Sequence, residues 1–200
     1  MKTFNIYITG VGGQGIGLLS QALLRGIDHA GINAIAVDTH GLAQRGGVVV
    51  SQIRCGNRVH SPLIMKKSAD LVLGMEIHEA MRGLGVALKK GGTLVFMDVS
   101  WQPLPVRLGL NSEVSAKDVM IACDTASITG IKVDTRPVLD FGQDSRMQNM
   151  ALLGTIAAQN LVPGVEAKHF QAALDDLLTG EMLKINRALF DAYVSDKDRL

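Results

Sequence analysis

A single doubly wound, Rossmann-like α/β domain with a mostly parallel sheet and C-terminal helices is the fold this sequence predicts, and three observations predict it. Short β-branched runs alternate with helix-period segments along the chain, a glycine-rich turn joins the first strand to the first helix, and 200 residues fit one core but are short for two. We therefore expect one domain over residues 1–200.

The first element, FNIYIT (4–9), alternates and then runs apolar, as a central parallel strand does. After the glycines, Ile16, Leu19, Leu23, Ile27 and Ala30 recur on one helical face. Gly31 is a stop signal, and NAIAVD (33–38) reads as a second strand, so the opening segment is expected to be a βαβ unit with a right-handed crossover. VVVSQIRCGNRV then predicts one or two strands, with a turn at Gly56-Asn57, antiparallel at a sheet edge. Further buried strands are expected at 70–75, 93–98 and 131–135, and helices at 77–89, 115–124, 147–161, 166–178 and 182–194. SWQPLPVRLG (100–109) suits an edge or loop insertion, and LDFGQDSR (139–146) a loop into a helical tail.

Composition narrows the function. With 47% apolar and 20% charged residues and no run of eighteen apolar positions, neither disorder nor a membrane span fits. A formal net charge of +1 lacks the electrostatic footprint of a nucleic-acid binder. The start, MKTFNIYITG, runs from one lysine through a short strand into glycines, unlike a secretory signal, so a cytoplasmic protein is expected. Cys55 and Cys123 are too far apart in sequence for the closely spaced thiolates of a metal or iron–sulfur motif.

Gly10-Val11-Gly12-Gly13-Gln14-Gly15 satisfies G-x-G-x-x-G between a predicted strand and helix. In that pattern Gly10 permits the tight turn, Gly12 lets backbone approach a pyrophosphate, and Gly15 allows close helix–strand packing, while Asp38 lies near the position of a ribose-binding acid. The loop lacks the Lys-Ser/Thr ending of a triphosphate-binding loop. Gln14, a long amide at the helix entrance, is placed to reach a ligand or another chain. THGLAQRGG (39–47) follows the second strand at the same sheet edge, bringing His40, Gln44 and Arg45 together with Gly46 and Gly47. On the residues alone, a small NAD-dependent dehydrogenase and a nucleotide-sensing module both stand beside the alternative that the glycines serve packing only.

The combination of GVGGQG, HGLAQRGG, SQIRCGNRVHSPLI, ADLVLGMEIHEAMR, MQNMALLG and INRALFDAY, in that order from residue 10 to 193, resembles the gamma family of 2-oxoacid:ferredoxin oxidoreductases, with the nearest likeness in its indolepyruvate-type small subunits. The resemblance implies a gamma-type domain over 1–200 and a subunit, inactive alone, of an enzyme that oxidatively decarboxylates a 2-oxoacid to acyl-coenzyme A, CO2 and reduced ferredoxin. It implies that thiamine diphosphate, Mg and the iron–sulfur clusters reside on a large partner subunit, with coenzyme A as cosubstrate, and that this chain helps shape the coenzyme A approach. It places interest on Gly12, Gly13, Gln14 and Gly15 and on His40, Gln44, Arg45 and Gly46. Arg45 is suited to bidentate capture of a carboxylate or phosphate, and the backbone N–H groups near Gly13 and Gln14 to an anion at the helix N-terminus.

Other polar residues have plainer expectations. Glu76 either faces the crevice or starts a helix as a capping carboxylate. His78 and Glu79, adjacent on a helix, point apart and make no metal site. Ser61-Pro62 reads as a stiff turn before a buried Leu63-Ile64 pair, Met147 and Met150 as adaptable filler of a buried helix, and Asn149 and Asn186 as caps or ties between helices.

Overall fold

The computed structural model describes residues 2–40, 47–100, 108–109, 113–135 and 148–195, with His40 described in its backbone only. In chain order the elements are β1 (Phe4–Val11), α1 (Ile16–His29), β2 (Ala34–His40), β3 (Val48–Cys55), β4 (Ala69–Gly74), α2 (Ile77–Val86), β5 (Leu88–Met97), α3 (Ala116–Thr125), β6 (Thr129–Val133), α4 (Gln148–Ala158), α5 (Ala167–Leu177) and α6 (Gly180–Ser195). The strands form one six-stranded sheet in the order β2-β3-β1-β4-β5-β6. The β1–β4, β4–β5 and β5–β6 pairs are parallel, while β3 runs antiparallel to both of its neighbours, so five strands share one direction.

Two expectations change here. β1 and β2 do run the same way around α1, but they are not paired, because β3 is inserted between them. β3 is antiparallel as expected yet internal, and β2 is the edge strand. Pattern alone could not locate this insertion: the alternating burial of β3 identifies a strand with unlike faces without naming its neighbours. α2 ends at Val86, short of the expected residue 89, since Gly83 and Gly85 weaken helix continuation, and β5 begins at Leu88, before the expected residue 93.

The two faces of the sheet carry separate cores. Ile6 and Ile8 of β1, Ile53 of β3, Leu71 and Leu73 of β4, and Val95 and Met97 of β5 pack under α1, α4, α5 and α6. Tyr7, Val72, Leu94 and Phe96, pointing the other way by the period of two, pack under α2 and α3. Of the α1 residues expected on one face, Ile16, Leu19, Leu23 and Ile27 are buried there, while Ala30 is the C-cap and only partly buried. Each aliphatic side chain so buried contributes about 1.5–3 kcal/mol relative to exposure. α4 is buried along Asn149–Ala158, including Met150. It is drawn close to α6 at Gly154, where a Cβ would come within 2.5 Å of the Tyr193 Cβ. Phe170 and Phe190 meet edge to face at 6.5 Å between α5 and α6. Residues 139–146 and Met147 lie outside the described residues, as does most of 100–109.

Candidate functional site

The glycine-rich turn joins β1 to α1 at the C-terminal edge of the parallel strands, where open α/β sheets place their ligands. Gly10 is not the tight turn the fingerprint suggests. It is still in β1, opposite Val49, and a Cβ there would stand 2.6 Å from the Met75 Cβ and 2.8 Å from Gln14 Oε1. The turn comes later, at Gly13 (φ 107°) and Gly15 (φ 77°), conformations that only glycine adopts at little cost. Gly15 is the N-cap of α1, with no side chain capping the helix and no acid in its first turn, so no carboxylate of the helix itself neutralises its positive end. The Gly12 N–H donates to the Gly47 carbonyl at 2.9 Å and is thus occupied by the chain itself.

Gln14 overturns the expectation that it reaches outward. Its side chain is fully buried, accepting a hydrogen bond from the Val11 N–H at Oε1 (2.8 Å) and donating from Nε2 to the Met75 carbonyl (3.0 Å). The amide stitches the glycine turn to the end of β4, serving two backbone groups that would otherwise be buried unpaired. Asn149 ties α4 to the same turn, its Nδ2 donating to the Gly15 carbonyl at 3.4 Å. Asn186 makes no tie between helices: it donates to the Met182 carbonyl within α6.

The second loop is anchored beside the first. His40 closes β2 opposite Val49, and Gly47 precedes Val48, which pairs with Val11. Gln44, Arg45 and Gly46, expected to carry the polar chemistry, lie outside the described residues. Asp38 is directed to the α1 side, where it accepts a hydrogen bond from Ser20 Oγ at 3.2 Å, and Ser20 in turn meets Ser51 Oγ at 2.7 Å. Because β3 separates β2 from β1, Asp38 stands two strand spacings from the glycine turn, roughly 9.6 Å across the sheet in place of the single ~4.8 Å step of a paired β1–β2 unit. A ribose-binding acid would need that shorter step.

Glu76 does not face the crevice. Fully buried, it is the N-cap of α2: Oε1 accepts from the Glu79 N–H, and Oε2 lies 3.0 Å from His78 Nδ1. His78 Nε2 accepts from the Val114 N–H at 3.3 Å, which assigns the ring proton to Nδ1 and makes it the donor to Glu76.

A polar cluster that the sequence reading missed lies beneath α2. Glu79 Oε2 receives the hydroxyl of Thr9 and the Arg82 Nε–H at 2.8 Å, and the Arg82 guanidinium also reaches Thr9 Oγ1 and, at 3.4 Å, the Tyr7 hydroxyl. Burial works against the charge of Arg82, yet the hydrogen bond and charge of Glu79, with Tyr7 contributing, hold its pKa above the ordinary arginine value. The Glu79–Arg82 spacing of three was the available signal. Among the described residues no group of three or more His, Cys, Asp or Glu side chains is placed to hold a metal. Cys55 lies in the α1-side core and Cys123 in the α2-side core, so the sheet stands between the two thiols. Burial, helped by Asp70 for Cys55 and Asp124 for Cys123, pushes both up to about 11. Neither thiol is poised to ligate or react.

The family model described as Pyruvate ferredoxin/flavodoxin oxidoreductase matches residues 5–194. Indolepyruvate oxidoreductase subunit IorB of Pyrococcus horikoshii is 39% identical over 97% of this chain and 96% of its own length. The subunit of the same name from Methanothermobacter thermautotrophicus is 30% identical over 95% of this chain and 96% of its own. Among solved structures, the keto/oxoacid ferredoxin oxidoreductase gamma subunit of Geobacter sulfurreducens superposes with a TM-score of 0.67 at 18% identity, over 98% of this chain and 99% of that one. The 2-oxoglutarate:ferredoxin oxidoreductase of Magnetococcus marinus gives 0.72 at 16% identity, covering all of this chain and 32% of that chain. At such identities the structural likeness speaks for the fold alone.

Proposed function

The chain belongs to the pyruvate ferredoxin/flavodoxin oxidoreductase family, and from that premise we propose that it is the small, gamma-type subunit of a thiamine-diphosphate-dependent 2-oxoacid:ferredoxin oxidoreductase, of the indolepyruvate type. The observation that carries this reading is the end-to-end correspondence with IorB, 39% identical over nearly the whole of both chains. The complex would convert a 2-oxoacid and coenzyme A into acyl-coenzyme A and CO2, with the two electrons released passing to ferredoxin. Thiamine diphosphate with Mg supplies the decarboxylation chemistry when bound, and in this reading it belongs to the large partner, as do the iron–sulfur clusters. The donor set of this chain supports that division, because its only two thiols are buried on opposite faces of the sheet and do not fit a shared cluster.

This chain then contributes shape and charge at a boundary between subunits, in the cytoplasm. The α1 N-terminus at Gly13 and Gly15 offers the positive end of a helix, and Gly47, at the end of the second loop, is bonded to the same turn. Arg45, with Gln44 and Gly46, would complete that rim and hold an anionic group of substrate or coenzyme A. Gln14, Gly10 and Glu76 would support the rim from below without touching the ligand.

The test is affinity purification of the chain from its own cells, with identification of what accompanies it and assay of 2-oxoacid-dependent viologen reduction. Recovery of a large thiamine- and iron–sulfur-bearing chain together with activity is expected, and indolepyruvate should lead the ranking of substrates. A solitary chain would overturn the reading. Arg45→Ala should raise the KM for coenzyme A or 2-oxoacid at least tenfold in the reconstituted complex. Unchanged kinetics would remove Arg45 from the site.

A further inference from the structure

On the α1 side, β2 and β3 are covered by α1. On the other side, α2 packs on β1, β4 and β5, and α3 on β6, while the segment from Ser61 to Met65 forms a strap over β3. Gln52 Oε1 accepts from the Ile64 N–H at 2.7 Å and Arg54 donates to the Ser61 carbonyl at 3.0 Å, so the strap is pinned to β3. The pinning contradicts the expected buried Leu63-Ile64 pair. Ile64 packs inward on the α2-side core, while Leu63 and Met65 are 62% and 79% exposed. Beside the strap, the register puts Ile35 next to Arg54, and Val37 next to Gln52. Ala34 and Ala36 belong to the α1-side core, so the alternation turns Ile35 and Val37 to the opposite face, where both are half-buried and lie beyond the main packing of α2 and α3 among the described residues.

Charge is distributed as unevenly as packing. Between Asp38 and Asp70 the chain has no acidic residue but contains Arg45, Arg54, Arg58, Lys66 and Lys67, a formal +5 within a protein of net +1. The exposed apolar pair is thus flanked by cations along the chain, of which Arg58 and Lys66 are exposed and Arg54 is bonded to the strap itself. An edge strand with half-buried β-branched residues, two exposed apolar side chains on the neighbouring strap and a chain segment of one-signed charge together mark a protein interface.

We infer that the α2-side face of β2 and β3, with the strap Leu63–Lys66, is the surface on which the large partner subunit seats, and that the partner presents an apolar centre flanked by carboxylates. Leu63 and Met65 supply the anchors. Arg58 and Lys66 steer the approach and set the register. The identity of the occupant rests on the functional reading given above, while the surface itself rests on packing and charge.

The test uses co-expressed complex and separately purified chain. Leu63→Glu and Met65→Glu, alterations of exposed side chains, should each weaken binding of the purified large subunit at least tenfold. The pair Arg58→Glu with Lys66→Glu should slow association at low salt and flatten its dependence on ionic strength. Met182→Glu, 57% exposed on α6, is the control and should bind as wild type does. Each chain's unfolding curve is measured alongside. Amide exchange in the complex should be slowed at 34–38, 50–54 and 61–66. Normal affinity in both strap variants, or protection confined to the α4–α6 side, would overturn the surface while leaving the functional reading intact. Sedimentation showing the chain paired with a second copy through these residues would overturn the assignment of the occupant. Absence of any wild-type complex would overturn both proposals.

Discussion

Gln14→Ala separates a structural glutamine from a ligand-binding one. The native amide accepts from the Val11 N–H at 2.8 Å and donates to the Met75 carbonyl at 3.0 Å, in a site with no exposure. Truncation leaves one backbone donor and one acceptor unpaired, at about 1–3 kcal/mol each when neither reaches water. Partial relaxation, or a water taking the place of the amide, brings the expected loss to about 2–4 kcal/mol, a fall in melting temperature of roughly 5–15 °C for a domain of this size. Urea and thermal unfolding of the purified chain, with no partner present, measure it. Gln14→Glu gives the sign. The introduced carboxyl retains an acceptor for Val11 but meets the Met75 carbonyl, which only its protonated form can satisfy. Burial and that carbonyl raise its folded pKa above the unfolded value of about 4.3. Stability should therefore approach wild type below about pH 4 and fall as pH rises through the folded pKa. An alanine variant within about 0.5 kcal/mol of wild type in the isolated chain, combined with loss of activity in the complex, would refute the argument and return Gln14 to the ligand.

Two further outcomes follow from buried groups. Cys55 and Cys123, held at about 11 chiefly by burial, should react with a disulfide reagent at pH 8 only as fast as the chain opens, and at full rate in denaturant. Since their folded values lie above the unfolded ones, the stability they confer is complete below about pH 9 and is lost as pH rises towards 11, a decline that Cys55→Ala should lessen in denaturation curves. Arg82→Met strands the Glu79 carboxylate, leaving the Thr9 hydroxyl to donate to it. A loss of about 2–3 kcal/mol is expected, below the cost of breaking a fully buried pair because water reaches the guanidinium. Urea unfolding of the variant measures it, and a loss under about 0.5 kcal/mol would show that Glu79 finds another partner.

The elements most legible in sequence were those whose burial is one-sided. Ile16, Leu19, Leu23 and Ile27 announce α1 because a helix on a sheet buries one stripe, and β3 announces itself by a β-branched start followed by alternation. Glu76 was legible as a cap by its place before a helix. What was not legible depends on who lies next to whom. GVGGQG has the spacing of a dinucleotide loop, but Gly10 is a packing glycine because Met75 crosses behind it, and Gln14 turns inward because the end of β4 presents a carbonyl. Both causes are more than sixty residues away in sequence. Leu63-Ile64 reads as a buried pair, yet an extended strap pinned through Gln52 and Arg54 can bury only every second side chain.

The position of β3 ties the site and the surface together. Had β2 paired with β1, Asp38 would stand one strand from the glycine turn, suited to a ribose. With β3 inserted, Asp38 is displaced by a further ~4.8 Å and engaged by Ser20, and the carbonyl of Gly47, leading into β3, takes the Gly12 N–H. The same insertion moves β2 to the edge, so that among the described residues Ile35 and Val37 lie beyond the main packing of α2 and are only half-buried. One strand thus separates the features a free dinucleotide would need at the turn and leaves apolar side chains of the edge strand half-buried. Both consequences favour a domain that works within an assembly over one that binds a nucleotide alone.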